Sequence, residues 1–209
     1  MRIVVTRPQG QEEELVARLE ALGHEVEICP LVAVEPLGDG PIDVRGYDWV
    51  VVTSVNGARE LRRRMTGVPA RVAAIGRATA AAFGGADLVP RVSTQEGLLD
   101  ELPRPAGRVL FAAAEGARKL LAEALDAEFV PLYRTLELRP ERAPEGDLVL
   151  LASPSAARAF ARTGAEMPAV SIGPETTVAA RAAAIEVVGE ATTHDVAGLV
   201  AAAAAAAGR

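Results

Sequence analysis

Short runs of β-branched residues alternate with alanine-, leucine- and charge-rich stretches along the whole chain, and this alternation constrains the fold more than any other feature. Strands that alternate with helices form parallel sheets with helices packed on both faces. The sequence therefore predicts the α/β class. The predicted strands are 2–6, 25–28, 49–52, 71–75, 87–89, 108–112 and 128–130, followed by a second set at 147–151, 169–172 and 185–188.

The first interval between strands has helical periodicity. Leu15, Leu19 and Leu22 are spaced to form one apolar stripe, which predicts a helix over residues 11–22. Gly23 follows the stripe, and glycine commonly ends a helix because it adopts the left-handed conformation without strain.

Two extended, proline-containing segments interrupt the alternation at residues 30–36 and 131–138. We interpret them as the two strands of an interdomain connector. The sequence then predicts a discontinuous first α/β domain at 1–34 and 137–209, a second at 37–132, and a hinge cleft between two parallel-sheet domains. One larger sheet with two long surface loops is the alternative.

An internal similarity favours two domains of one kind. The segment Val51-Val52-Thr53-Ser54-Val55 resembles Leu151-Ala152-Ser153-Pro154-Ser155, and an isoleucine-glycine pair follows each about twenty residues later. Those pairs are Ile75-Gly76 and Ile172-Gly173. The repeated order indicates a duplication.

Composition excludes several classes of function. The net charge of −6 and pI near 5.1 argue against a nucleic-acid partner, which normally requires a basic face. The alanine run 201–207 is far shorter than the roughly 20 residues of a membrane helix, and the start of the chain enters a strand pattern, so we expect a cytoplasmic protein. Nucleotide-binding glycine motifs and metal-ligand spacing are missing from the sequence, so no metal site is predicted.

Small polar residues recur where a predicted strand gives way to a helix. In a parallel sheet these turns gather at the carboxyl ends of the strands, where first-turn amides and the helix dipole attract anions. Helix capping without any ligand explains each single turn equally well. The turns are Thr6-Arg7-Pro8, Thr53-Ser54, Gly76, Ser93-Thr94-Gln95, Glu115-Gly116, Ser153-Pro154-Ser155 and Gly173-Pro174-Glu175-Thr176.

Tyr133 lies on the second extended segment, where its phenol could donate a proton to a leaving hydroxide or simply pack in the hinge. Tyr47, beside Trp49, is expected to pack at the start of a strand. His24 and His194 are expected at the surface.

Taken in order, the motifs resemble those of the uroporphyrinogen-III synthase family. They are Val4-Val5-Thr6-Arg7-Pro8, Val52-Thr53-Ser54, Ile75-Gly76 with Thr79-Ala80, Ser93 to Leu98, Tyr133-Arg134-Thr135, Ser153-Pro154-Ser155 and Ile172-Gly173-Pro174-Glu175-Thr176. The resemblance spans nearly the whole chain and implies two α/β domains, the first of them discontinuous, joined by a two-stranded connector.

The resemblance also implies a reaction. A member of this family cyclises hydroxymethylbilane to uroporphyrinogen III without a cofactor, losing water and inverting the last pyrrole ring. It implies that Tyr133 assists the loss of hydroxide, that the chain is a monomer, and it leaves open a transient contact with the preceding pathway enzyme. The residues expected to bind the acetate and propionate groups are Arg7, Thr53, Ser54, Gly76, Ser93, Ser153, Ser155, Gly173 and Thr176.

At one turn the sequence departs from the family pattern, and two other functions compete with the one that the resemblance implies. Glu175 puts a carboxylate at a turn where relatives have a small residue or threonine, and it would repel substrate unless it faces solvent. The alternatives are a non-catalytic ligand-binding or regulatory protein and a phosphosugar or nucleotide transferase. The transferase lacks support, because the sequence has no nucleotide motif and no metal-binding carboxylate cluster.

Overall fold

The computed structural model describes residues 1–208, and the chain divides into two compact units. The first unit consists of 1–33 and 136–209, and the second consists of 34–135. The elements are, in chain order, β1 (Arg2–Val5), α1 (Glu13–Ala21), β2 (Glu25–Ile28), β3 (Val32–Pro36), β4 (Ile42–Asp43), β5 (Trp49–Val52), α2 (Val55–Arg64), β6 (Met65–Thr66), β7 (Val72–Ala74), α3 (Arg77–Phe83), α4 (Gln95–Glu101), β8 (Val109–Ala114), α5 (Leu120–Leu125), β9 (Glu128–Glu137), β10 (Leu148–Leu151), α6 (Pro154–Ala161), β11 (Ala169–Ser171), α7 (Pro174–Ala182), β12 (Val187–Glu190) and α8 (Val196–Ala207).

The first unit is built on a five-stranded sheet in the order β12-β11-β10-β1-β2. Every neighbouring pair in it is parallel; Val4, for example, lies opposite Val149 across β1 and β10. Parallel neighbours need a crossover between them, and helices supply those crossovers here. These helices cover both faces of the sheet and bury the strands between them, which explains why β10 has no exposed residue.

The second unit contains a five-stranded sheet in the order β3-β9-β8-β5-β7. Strands β9, β8, β5 and β7 pair in parallel. The edge pair β3 and β9 is antiparallel, because Leu37 N–H donates to the Leu132 carbonyl while Leu138 N–H donates to the Leu31 carbonyl. A separate parallel pair joins β4 and β6.

Each sheet divides the core of its unit into two layers. In the second unit Val50 and Val52 point to one layer, whereas Trp49 and Val51 point to the other. The first unit repeats the pattern, with Val4 in one layer and its neighbours in the other. Successive side chains of a strand face opposite sides of a sheet, so an uninterrupted apolar strand fills both layers.

The predicted class is confirmed, since the fold is mixed α/β with parallel sheets. The predicted strands at 25–28 and 49–52 are confirmed with the same bounds. The predicted strand at 87–89 is wrong, since only Leu88 bridges to the sheet, at Ala73. The predicted strand at 128–130 is too short, because β9 continues to Glu137.

The first helix ends one residue before the predicted apolar stripe does. Leu15 and Leu19 are fully buried, but Leu22 follows the helix and is 54% exposed, so its assignment to the stripe was wrong. Gly23 takes a φ of +82°, in the left-handed region that favours glycine. No helix within residues 1–208 combines the length and apolar character needed to cross a membrane.

Replacing Leu61 by alanine tests the packing of the second unit. Leu61 on α2 is fully buried in the layer that includes Val50 and Val52. We expect Leu61→Ala to lower the free energy of unfolding by about 2–5 kcal/mol, because removing a buried isobutyl group leaves a cavity. Urea denaturation followed by circular dichroism measures the loss. The matched control is Leu22→Ala, which should change stability little because Leu22 is largely exposed; equal losses would contradict the assignment of the core.

Candidate functional site

The polar residues predicted to bind a ligand lie at the carboxyl ends of the strands in each unit. In the second unit Thr53 and Ser54 follow β5, Gly76 follows β7 and Tyr133 lies within β9. In the first unit Arg7 lies beyond β1, and Ser153 and Gly173 lie beyond β10 and β11. Parallel strands bring their carboxyl ends to one edge of a sheet, so each unit presents its own polar edge.

Ser54 and Tyr133 are in direct contact. The Ser54 Oγ lies 2.9 Å from the Tyr133 Oη, and the same Oγ accepts a hydrogen bond of 2.9 Å from the Gly57 N–H. Ser54 is therefore both the N-cap of the ten-residue helix α2 and the hydrogen-bond partner of the tyrosine. Gly57 makes room for this arrangement, since a β-carbon there would lie 3.0 Å from the Ser54 Oγ and 3.8 Å from the Tyr133 Cε1.

Gly76 and Ser93 form a second close pair in the same unit. A β-carbon on Gly76 would lie 3.2 Å from the Ser93 Oγ, so glycine permits the two turns to approach. Gly76 is the N-cap of α3 and has an extended backbone, with φ of −166°. The adjacent Thr94 caps α4 by accepting from the Gly97 N–H at 3.1 Å.

The first unit repeats the local geometry of Ser54 at Ser153. Its Oγ accepts from the Ala156 N–H at 3.1 Å and caps the eight-residue helix α6. The backbone angles of the two caps agree within 6°, at φ −159° and ψ 154° for Ser54 against −165° and 158° for Ser153. Ser155 lies half-buried in the first turn of α6.

At the neighbouring turn of the first unit, Gly173 is the N-cap of the nine-residue helix α7. A β-carbon at Gly173 would lie 2.9 Å from the His194 Cδ2 and 3.0 Å from its Nε2, so the imidazole covers this turn. His194 is exposed, as predicted, whereas His24 is partly buried. Thr176 is buried, and Glu175 in the same turn is exposed.

Two further features of this edge escaped the sequence analysis. Buried Ser171 and Thr177 lie 2.6 Å apart through their hydroxyl oxygens, and Thr177 donates to the Glu190 carboxylate, which ties α7 to β11 and β12. The contact between Gly173 and His194 is the second. The three pairs are separated by 6, 13 and 21 residues along the chain and belong to different elements, so no periodic pattern in the sequence marks them.

Of the binding residues predicted, Arg7 and Thr53 remain to be placed, together with Thr6 of the turn Thr6-Arg7-Pro8. Thr6 is fully buried and its Oγ1 donates to the Leu150 carbonyl at 2.8 Å, so Thr6 ties β1 to β10 and cannot face a ligand. Arg7 and Thr53 are half-buried at the ends of their strands. Arg7 adds a fixed positive charge to the edge of the first unit.

The helix starts at these edges suit anions. A helix leaves its first four amides without partners inside the helix, and Ser54 or Ser153 satisfies one of them by capping. The remaining amides and the positive end of the helix dipole attract carboxylates. Both explanations of these serines, capping and ligand binding, are therefore compatible.

The two tyrosines have different surroundings. Tyr133 is only 6% exposed, and its burial raises the pKa of the phenol, while the hydrogen bond with Ser54 acts to lower the pKa. The pKa of Tyr47 is raised chiefly because its hydroxyl donates to the Glu128 carboxylate at 2.5 Å. Both phenols therefore keep their protons at neutral pH.

Two surface depressions, of about 490 and 520 Å³, lie elsewhere in the first unit. One includes Pro168 and Glu186, which precede β11 and β12, and the other includes Arg162 and Thr163 beyond the end of α6. They contain none of the predicted ligand-binding residues. The amino ends of parallel strands are not the usual ligand position, so we do not assign the site there. Within residues 1–208 no three His, Cys, Asp or Glu side chains are grouped to hold a metal ion.

Comparison with models of protein families shows which family the chain belongs to. Residues 13–201 match the family model described as uroporphyrinogen-III synthase HemD. This chain belongs to the uroporphyrinogen-III synthase family.

Individual family members are similar over most of the chain. The uroporphyrinogen-III synthase of Synechococcus elongatus is 30% identical over 174 residues, which covers 71% of this chain and 65% of that protein. The chain therefore spans less than two thirds of the length of this relative. Crystal structures of uroporphyrinogen III synthase from the extremely thermophilic bacterium Thermus thermophilus share the fold. A triple mutant matches with a TM-score of 0.67 at 17% identity over 100% of this chain and 99% of that one, and the wild type with 0.50 at 19% over 100% and 98%.

The tyrosines of this family member can be titrated separately. In Tyr47→Phe the only remaining tyrosine is Tyr133, and we expect its ultraviolet tyrosinate absorbance to appear at a pH above that of free tyrosine, because burial disfavours the phenolate. The unfolded chain releases this proton at about pH 10, so the free energy of unfolding should fall as pH rises from there to the higher pKa of the folded protein. Titration of Tyr133 at the pH of free tyrosine would contradict its burial.

Proposed function

We propose that this protein is a uroporphyrinogen-III synthase, which closes hydroxymethylbilane into uroporphyrinogen III with inversion of the last pyrrole ring and loss of water. The observation that carries the proposal is the match of residues 13–201 to the family model. The polar carboxyl edges of both sheets add physical support, because a substrate with many carboxylates needs anion-binding positions on a chain of net charge −6.

The proposed reaction begins with loss of the terminal hydroxyl of the linear tetrapyrrole. The resulting azafulvene is attacked by the substituted carbon of the last pyrrole, which gives a spiro intermediate. That intermediate fragments and closes again with the last ring reversed. Holding the two ends of the chain in one geometry favours this attack over closure at the free carbon, so orientation is the main contribution of the protein. No cofactor takes part in the proposal.

Tyr133 is the proposed acid for the first step. Its phenol remains protonated at neutral pH because burial raises its pKa, and a protonated phenol can supply the proton that turns the departing hydroxide into water. The position of its backbone is fixed, since Glu115 N–H donates to the Tyr133 carbonyl at 2.8 Å. A strand whose backbone is held by hydrogen bonds keeps the side chain of a general acid in one orientation during the reaction.

The nine residues named from the resemblance are the proposed contacts for the acetate and propionate groups. Several begin helices, where amides and dipole favour carboxylates, and Arg7 adds a cation. Glu175 is exposed, which agrees with its carboxylate facing solvent while backbone amides of this turn bind. The proposed set is Arg7, Thr53, Ser54, Gly76, Ser93, Ser153, Ser155, Gly173 and Thr176.

We also propose that 30–36 and 131–138 form a two-stranded interdomain connector. Strands β3 and β9 support this, because the chain crosses between the two compact units within them. The Arg134 guanidinium donates to the Glu35 carboxylate at 2.8 Å, so an ion pair joins the two strands in the second unit. The predicted domains, 1–34 with 137–209 and 37–132, rest on this proposal.

The same proposal includes a monomer in the cytoplasm, with any contact to the preceding pathway enzyme being transient. Light scattering during gel filtration should give the mass of one chain, 21.7 kDa. Twice that mass would contradict the monomer.

The isomer ratio of the product tests the function directly. Purified protein receives freshly generated hydroxymethylbilane, and the uroporphyrins are separated by chromatography after oxidation. We expect predominantly isomer III, whereas a protein-free control gives mainly the symmetric isomer. A ratio that matches the control would show a ligand-binding protein or an inactive relative instead.

Replacing Tyr133 tests its role as the acid. We expect Tyr133→Phe to lower kcat several-fold without abolishing activity, because the hydroxyl is lost while orientation by the remaining contacts persists. Tyr47→Phe is the matched control: it removes the only other tyrosine hydroxyl, which is bonded to Glu128, and should leave kcat unchanged. Unchanged turnover in Tyr133→Phe would remove the acid role.

A further inference from the structure

Ser54 has a position that capping alone does not explain. Its hydroxyl oxygen accepts from the Gly57 N–H at 2.9 Å and lies 2.9 Å from the Tyr133 Oη. The equivalent caps Ser153 and Thr94 accept from a backbone amide in the same way. Tyr133 is bonded to the cap of α2, and the other tyrosine, Tyr47, is bonded to Glu128.

The hydrogen-bonding capacity of the two hydroxyls limits what this contact can do. A serine hydroxyl has one proton and two lone pairs, and the Gly57 N–H occupies one lone pair of Ser54. With both protons present, either hydroxyl can donate across the 2.9 Å contact. Once Tyr133 has lost its proton, its oxygen can only accept, so Ser54 must then be the donor.

We propose that Ser54 is a positioning residue for Tyr133: its hydroxyl donates to the phenolate oxygen that forms when Tyr133 protonates the departing hydroxyl of the substrate. This inference rests on the proposed function and assigns the Ser54 side chain to the acid, which leaves the backbone of that turn for the substrate. The donors then form one chain, from the Gly57 N–H through Ser54 to Tyr133.

The physical need for such a donor follows from burial. Tyr133 is 6% exposed, and a buried anion without a hydrogen bond is strongly disfavoured. Ser54 stands at the start of α2, where the positive end of the helix dipole also favours negative charge. Because the Gly57 N–H polarises the Ser54 hydroxyl, the latter becomes a better donor.

Every proton that moves in this step comes from Tyr133 or from the substrate, so no other acid or base is needed. The carbon–oxygen bond of the hydroxymethyl group breaks, and its electron pair leaves with the oxygen. The Tyr133 proton joins that oxygen, which departs as water. The pyrrole nitrogen supplies electrons for the new exocyclic double bond, and the phenolate recovers a proton when the cyclised pyrrole later releases one. Ser54 keeps its proton throughout.

Titration of Tyr133 in the Tyr47→Phe background tests the hydrogen bond without using activity. We expect Ser54→Ala to raise the pKa of Tyr133, since the phenolate loses its donor. Ser54→Asp should also raise the pKa, because aspartate still caps α2 but can only accept. Ser54→Thr keeps both functions and should leave the pKa unchanged. Fluorinated tyrosine, which ionises at lower pH, allows the titration to finish while circular dichroism shows the protein folded.

A matched cap variant separates this effect from helix stability. Thr94→Ala removes the side-chain cap of α4 in the same unit and should leave the pKa of Tyr133 unchanged. A pKa of Tyr133 that stays constant or falls in Ser54→Ala would overturn the proposal, because a serine that only accepts from the phenol stabilises its neutral form.

Turnover then tests whether the bond serves the reaction. We expect Ser54→Ala and Ser54→Asp to lower kcat by a few-fold with little change in KM, and by no more than Tyr133→Phe does, because Ser54 acts only through Tyr133. Ser54→Thr should restore kcat. In the Tyr133→Phe background the same changes should cause no further loss, because no phenolate forms. Additive losses would overturn the proposal. Failure of the unsubstituted protein to form isomer III would instead overturn the proposed function, and the titration would still report the hydrogen bond.

Discussion

Parallel strand pairing is the constraint on which the rest of this structure depends. Parallel neighbours cannot be joined by tight turns, so each crossover returns over a face of the sheet, and a helix or a short turn begins where a strand ends. The carboxyl ends of the parallel strands therefore share one edge in each sheet, with only the antiparallel β3 running the other way, and the residues that end those strands and cap the following helices share that edge too. The same pairing buries both faces of the strands, which explains why apolar runs such as Trp49-Val50-Val51-Val52 have no polar alternation.

Helix starts give this acidic chain a way to bind carboxylates. Backbone amides carry no net charge, so a helix start can attract an anion while the whole protein stays at −6. Glycines contribute by allowing close approach: Gly76 admits Ser93, and Gly173 lies beneath the imidazole of His194. The substrate proposed here has a reactive group that leaves readily, so accurate placement matters more than strong acids and bases. The scarcity of histidine and cysteine agrees with that requirement.

Tyr133 shows how much could be read from the sequence and how much could not. Its extended segment and its place among the family motifs were visible in the order of residues, and β9 confirms the extended conformation. Its partner Ser54 lies 79 positions away in the chain, and only the pairing of β8 with both β5 and β9 brings the turn after β5 near β9. The β4 and β6 pair was missed because two-residue strands are too short to show a period.

By itself the sequence determined the fold class, most strands, the helix caps and the family, because hydrophobic period and capping residues are local properties of the chain. Its errors were also local: Leu22 falls beyond the end of α1, only Leu88 of 87–89 pairs with the sheet, and β9 continues past residue 130. Only the tertiary structure decided which capped turns meet which side chains. Those contacts depend on strand order and on burial. The order of residues in a sequence does not show which positions, far apart along the chain, lie close together in space. The hydrogen bond of Ser54 with Tyr133 and the contact of His194 with Gly173 therefore arise from packing.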